Sequence, residues 1–335
     1  MKTFGRIILY LVIFILILVV AAIAYINIAL PDVGNPENIT IKVTPGRLAR
    51  GKYLVNNVCG CINCHSTRDW SKLAGPPRTA NIGGGGETFD KKDGVPGVIV
   101  SPNITPFNLK NWTDGEVLRA ITTGVNKKGK PLVPAMPWPK YAQMDREDLY
   151  SIITYIRTLP AVSVDYFSSK FDFPLNLIVN TMPKKATVHN GVLPKTTDSV
   201  KYGAYLVLIS DCELCHSLNN SVGEIVPGSE YGGGREFIIN GNAISRAANI
   251  SPDMNTGIGR WTGDDFVGKF KTYADTSKKV RVAKGDFQTY MAWFVYSGMT
   301  EGDLKSIFAY LKTMKPVNHK VVKFQEIKDT DPGAF

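Results

Sequence analysis

Hydrophobic positions fall into two patterns along the chain. The first is an unbroken apolar run from Ile7 to Ile26, free of charge and proline, preceded by Met1-Lys2-Thr3-Phe4-Gly5-Arg6. At 1.5 Å rise per residue this run makes a helix about 30 Å long, the thickness of a bilayer's hydrocarbon core. The pattern therefore predicts a membrane-spanning anchor over 1–30, with Lys2 and Arg6 keeping the N-terminus cytoplasmic. Ala22, Ile23 and Ala24 also form a small-x-small cleavage pattern, but the length of the apolar run favours a retained anchor over a signal peptide. Both readings export the remainder of the chain. The second pattern is amphipathic: Leu149, Ile152, Ile153 and Ile156 recur at helical spacing behind Asp145 as N-cap, with Asp148 three residues on.

That second helix occurs twice. Met136, Trp138, Tyr141, Asp148, Leu149, Ile152 and Tyr155 return at a constant offset as Met291, Trp293, Tyr296, Asp303, Leu304, Ile307 and Tyr310, with Thr300 in the N-cap place of Asp145. Working backwards, Trp112-Thr113 matches Trp261-Thr262, and Asn103-Ile-Thr-Pro matches Asn249-Ile-Ser-Pro. A glycine cluster at Gly83–Gly86 matches Gly232–Gly234, and Gly51-x-Tyr-Leu-Val matches Gly203-x-Tyr-Leu-Val. Repeats this long are duplicated domains rather than solenoid units. The expected division is an anchor (1–30), a first domain (31–162), an inter-domain segment (163–196), a second domain (197–317) and a tail (318–335). The fold class is mainly α: an N-terminal transmembrane helix followed by two tandem domains. The inter-domain segment, with Phe171, Pro174, Leu175, Leu177, Ile178 and Pro183, is too apolar in its first half for a free linker. That half is expected to pack on one domain, leaving Pro194–Ser199 as the exposed join.

Composition adds a constraint on partners. A formal charge of +10 gives a basic surface suited to an acidic protein or to anionic lipid. The lysines are scattered and no basic run is interleaved with aromatics, so nucleic acid is not the expected partner. Five cysteines stand at 59, 61, 64, 212 and 215, and four of them form two tight pairs, which argues against a disulfide framework.

The pairs carry the chemistry. Cys61, Cys64 and His65 form one CxxCH set, and Cys212, Cys215 and His216 the other, at equivalent repeat positions. CxxCH is the attachment signature of c-type haem: two thiols add to the haem vinyl groups and the histidine becomes the proximal iron ligand. Two covalent haems are thus expected. A zinc shared by the two pairs would need closer spacing, and no βαβ pattern supports a thioredoxin-like redox pair. Cys59 is read as a spare thiol. The sixth iron ligand expected of an electron carrier is methionine, and Met136 and Met291 occupy equivalent loops before the last helix of each repeat. Their rivals Met144 and Met299 directly precede an N-cap, where a hydrophobic residue staples onto Leu149 or Leu304. Pro76 and Pro227 each lie eleven residues after a haem histidine, and their carbonyls are candidates to accept its Nδ1 hydrogen bond. Trp112, Trp261, Tyr155 and Tyr310 read as pocket walls, His189 and His319 as surface or tail residues, and the Gly83–Gly86 cluster as a flexible turn rather than a phosphate loop.

CINCH and CELCH, the run from Asn249-Ile-Ser-Pro to Trp261, and Ala135-Met136-Pro137-Trp138 together resemble class I cytochrome c domains. These are of the kind found in multihaem cytochrome subunits of bacterial membrane-bound dehydrogenases. The resemblance covers nearly all of 46–160 and 197–317. It implies a small helical bundle around each haem, with proximal His65 and His216 and distal Met136 and Met291. Those subunits typically carry three CxxCH sites where this chain has two. The implied role is electron relay, not catalysis. The expected donor is a dehydrogenase or quinol-oxidising complex, the expected acceptor a terminal oxidase or soluble cytochrome, and the haem domains would lie in the periplasm beside the bacterial inner membrane. A dihaem peroxidase is the enzymatic alternative, and requires one haem with an available iron position.

Overall fold

The structure is a computed structural model that describes residues 2–186, 193–220, 223–239, 241 and 243–327. His189 lies outside the described residues. In chain order the helices are α1 (Lys2–Ile28), α2 (Pro45–Tyr53), α3 (Cys61–Cys64), α4 (Pro106–Leu109), α5 (Asp114–Thr123), α6 (Trp138–Tyr141), α7 (Arg146–Ile156), α8 (Leu175–Ile178), α9 (Ser199–Ile209), α10 (Cys212–Cys215), α11 (Gly263–Lys271), α12 (Trp293–Tyr296) and α13 (Glu301–Leu311). Short antiparallel hairpins join them: Thr88–Phe89 pairs with Gly97–Val100, and Glu236–Ile239 with Ala243–Arg246, whose other edge takes Phe324–Glu326. The described part of the molecule is therefore mostly helical. Helix α1 is long and apolar enough to cross a membrane.

The chain forms two units. The first comprises Met1–Thr40, Trp112–Gln143 and Phe171–Val188. In it Thr113 caps α5 with a reciprocal box to Glu116, which satisfies two of the amide groups a helix start leaves open. Helix α8 and the turn Val179–Thr181 pack against α1. The apolar half of the segment expected to lie on a repeated domain thus packs on the N-terminal apolar helix.

The second unit, Ile41–Asn111, Met144–Lys170 and His189–Phe335, contains both CxxCH sets. Its frame is two helix pairs, α2 with α7 and α9 with α13. Each pair crosses at a glycine. A β-carbon on Gly51 would stand 1.9 Å from the carbonyl oxygen of Ser151, and one on Gly203 would stand 1.9 Å from that of Ser306. Any larger residue would push the helices apart. The repeats differ by one residue here, since Cys61 follows Gly51 by ten positions and Cys212 follows Gly203 by nine. The surplus is absorbed in a π turn, Leu54–Val58, closed by Cys59 N–H donating to the Leu54 carbonyl at 2.8 Å. Cys59 is the residue that ends this wider turn, which accounts for its lack of a counterpart.

The helix starts read from sequence are present, with one difference. Asp145 accepts from Glu147 and Asp148 amides, and Thr300 from the Asp303 amide. The carboxylates of Asp148 and Asp303, however, do not complete a capping box. They serve the other repeat. Tyr205 donates to Asp148 Oδ2 at 2.7 Å, and Tyr53 to Asp303 Oδ2 at 2.6 Å. Each phenol oxygen in turn accepts the N-cap amide of the helix it reaches, Asp145 N at 3.3 Å and Thr300 N at 3.0 Å. Tyr53 and Tyr205 are equivalent positions, as are Asp148 and Asp303, so the repeats exchange the same bond in both directions. Tyr205→Phe is expected to cost about 1.5–3 kcal/mol, the range for a hydrogen bond to a charged group. Urea unfolding measures it, and a loss below about 0.5 kcal/mol would show that the bond contributes little.

Candidate functional site

Both CxxCH sets are built alike. A left-handed residue, Gly60 (φ 61°) or Asp211 (φ 51°), precedes a single α-helical turn running from first to second cysteine. Positions three apart on a helix lie on the same face, so each turn presents its two thiols together. His65 and His216 close the turns, their amides donating to the Cys61 and Cys212 carbonyls at 2.9 Å. None of the five cysteines is in a disulfide. Cys64 and Cys215 are exposed, yet desolvation raises both thiol pKa values, Cys215 to about 11; Cys61 and Cys212 go to about 12 for the same first cause. A guanidinium acts on the second cysteine of each set, Arg68 on Cys64 and Arg235 on Cys215.

The histidines are held by carbonyls the sequence did not disclose. His65 Nδ1 lies 2.8 Å from the carbonyl of Pro102, and His216 Nδ1 lies 2.7 Å from that of Ala248. These take the places proposed for Pro76 and Pro227. Pro76 instead accepts the Asp69 amide. A carbonyl oxygen only accepts, so the ring proton sits on Nδ1 and Nε2 keeps its lone pair free for a metal. Burial lowers both histidine pKa values and keeps the rings neutral, the state a ligand requires.

The glycine clusters position these carbonyls. Gly85 N–H donates to the His65 carbonyl at 2.9 Å and Gly233 N–H to that of His216 at 2.8 Å. Both glycines have left-handed φ, 77° and 72°, and a β-carbon on either would come within 2.6 Å of the backbone that carries the clamp, at Pro102 and Asn103 or at Ala248. The cluster read as a flexible turn is a fitted cradle. The Asn-Ile-x-Pro motif follows each clamp directly and anchors it: buried Asn103 donates to the Val162 carbonyl, and buried Asn249 to that of Val317, just past the last helix. That recurring motif was the available signal, since it begins one residue after each clamping carbonyl.

The methionine candidates share a second local geometry. Trp138 N–H donates to the Met136 carbonyl at 2.7 Å, and Trp293 N–H to that of Met291 at 2.8 Å. The residues between, Pro137 (φ −78°, ψ 50°) and Ala292 (φ −76°, ψ 57°), have inverse γ-turn angles. Met136 and Met291 are half-buried, while Met144 and Met299 are 1% and 2% exposed and belong to the core, as do Leu149 and Leu304. The second unit contains Met291 together with His65 and His216, and Met136 belongs to the first. Helix α12, starting two residues after Met291, reaches the turn before Cys212 through Tyr296, whose hydroxyl donates to the Ser210 carbonyl at 3.2 Å. His319 Nδ1 approaches the Gly232 carbonyl at 3.1 Å, so the chain after α13 is docked on the second cradle. The donor set, two thiols on one face and a neutral imidazole with a fixed tautomer, fits covalently held haem in each repeat.

In sequence the chain is similar to cytochrome c subunits of bacterial dehydrogenases and to a dihaem cytochrome c. The cytochrome c subunit of alcohol dehydrogenase (quinone) from Gluconacetobacter polyoxogenes is 26% identical over 80% of this chain and 56% of its own length. The gluconate 2-dehydrogenase cytochrome c subunit of Pantoea cypripedii is 25% identical over 79% and 59% respectively. A diheme cytochrome c-type protein of Cereibacter sphaeroides is 26% identical over 49% of the chain and 55% of its own length. The chain spans little more than half the length of these relatives. No family model matches it.

Proposed function

We propose that the protein is a membrane-anchored dihaem cytochrome c that relays electrons outside the cytoplasm and performs no catalysis of its own. Two tandem cytochrome c domains carry the haems, attached through Cys61 and Cys64 and through Cys212 and Cys215. His65 with Met136, and His216 with Met291, are the axial pairs. The observation that carries this reading is the duplicated clamp, in which Pro102 and Ala248 carbonyls hold Nδ1–H of the CxxCH histidines and leave Nε2 as the ligand. Bound haem supplies an iron that takes up and releases single electrons. The chain fixes the imidazole ring, sets its basicity through the carbonyl and limits water at the iron. Lys2 and Arg6 before the apolar run favour a cytoplasmic N-terminus and periplasmic haem domains. The similarity to dehydrogenase cytochrome subunits supports a dehydrogenase as donor; the acceptor in this reading is a terminal oxidase or soluble cytochrome.

Haem quantified on denatured chain is expected to give two covalent groups per protein. Met136→Ala and Met291→Ala should each remove about half of the ferric methionine-to-iron charge-transfer absorbance, because each deletes one of two thioether ligands. A wild-type protein with one such band or none would overturn His/Met ligation and bring peroxidase chemistry back into consideration.

A further inference from the structure

We propose that the segment Phe171–Pro183 is a second membrane contact, dipping apolar side chains into the outer leaflet beside the anchor while its following lysines meet anionic lipid headgroups. The inference rests on α1 being a membrane helix, as read above. Helix α8 and the turn Val179–Thr181 pack against α1, and Ile26 is the single described side chain of α1 that is partly covered. The apolar run beginning at Ile7 fills about 30 Å by Ile26, so that residue stands at the far edge of the hydrocarbon. A segment packed there lies at the same depth.

Its own chemistry suits that depth. Phe173 is 78% exposed and Ile178 45% exposed, while Val179 and Pro183 are buried and hold the segment in place. Bulky apolar side chains left bare in water carry a cost that lipid removes, and aromatic and aliphatic groups enter the interface by about 5–10 Å. Exposed Lys184 and Lys185 follow at once, where phosphate groups of lipid would sit. Neighbouring α1 commits the surface to lipid rather than to a soluble protein. The contact would add a second point of attachment and restrict rotation of this unit about its anchor.

The test uses the full haem-loaded chain in nanodiscs of phosphatidylcholine and phosphatidylglycerol, photolysed with an apolar diazirine that partitions into the bilayer, with adducts mapped by mass spectrometry. The expected result is adducts in α1 and in 171–178 at yields within about threefold of each other, with those in 171–178 lost in a Phe173→Asp/Ile178→Asp variant that keeps its haem content. Labelling of α1 with none in 171–178 would overturn the inference, leave the anchor standing and mark the segment as a protein-docking face. Absence of adducts from α1 as well would remove the anchor reading and this inference together.

Discussion

Asp148→Ala is expected to destabilise the protein by about 3–5 kcal/mol, the cost of removing one partner from a buried ion pair. Asp148 is 3% exposed and accepts from Arg50 Nε and Nη2 at 2.8 and 2.7 Å as well as from Tyr205. Without the carboxylate, a guanidinium that is three-quarters covered loses its counter-charge, and a buried phenol loses its acceptor. The same change at Asp303 should cost less. The position equivalent to Arg50 is Tyr202, so Asp303 receives its cross-repeat bond from Tyr53 with no guanidinium at the matching place. Urea unfolding of both variants, followed by near-UV circular dichroism, measures the difference. Equal losses would show that Arg50 adds nothing and that the phenol bond alone ties the repeats.

The second large effect is expected at a glycine. Gly233→Ala forces a left-handed backbone on alanine, costing about 1–2 kcal/mol, and its β-carbon would stand 2.5 Å from the Ala248 carbonyl carbon. The clash falls on the group that accepts from His216 Nδ1, so the damage reaches the proposed iron ligand as well as the fold. The expected outcome is one haem with an altered reduction potential, or a chain that retains a single haem, while the other site is unchanged. Potentiometric titration with haem counting reads both. Two wild-type potentials in a stable Gly233→Ala protein would mean that the carbonyl does not tune the ligand. Gly85→Ala is the matching experiment for the first site, since the left-handed φ and the close approach are the same there.

These sites show how sequence and fold divide the information. The single helical turn of each CxxCH set and the equivalence of the loops holding Met136 and Met291 were legible because each depends on residues adjacent or a few positions apart, and the duplication marked them twice. Helix starts at Asp145 and Thr300 were legible for the same reason. The capping-box reading went too far because Asp148 and Asp303 had partners roughly a hundred or more residues away, and local spacing gives no sign of such competition. The clamp was assigned to the wrong carbonyls on similar grounds. Pro76 and Pro227 lie closer in sequence to the histidines, but Pro102 and Ala248 are brought in by hairpins that return the chain across the glycine cradle.

By itself, the sequence determined the mainly helical class, the duplicated motifs, the apolar run and the thiol and imidazole content of the two CxxCH sets, since all of these follow from local propensity, periodicity and side-chain type. Only the tertiary structure decided which carbonyls orient the histidines, why a single-residue surplus becomes a π turn ending at Cys59, and that the repeats exchange Tyr–Asp bonds. It also decided that the apolar segment after the first repeat meets the N-terminal apolar helix. Each of these depends on contacts between residues distant in the chain, made where burial leaves a polar group or an apolar face needing a partner that local sequence does not supply.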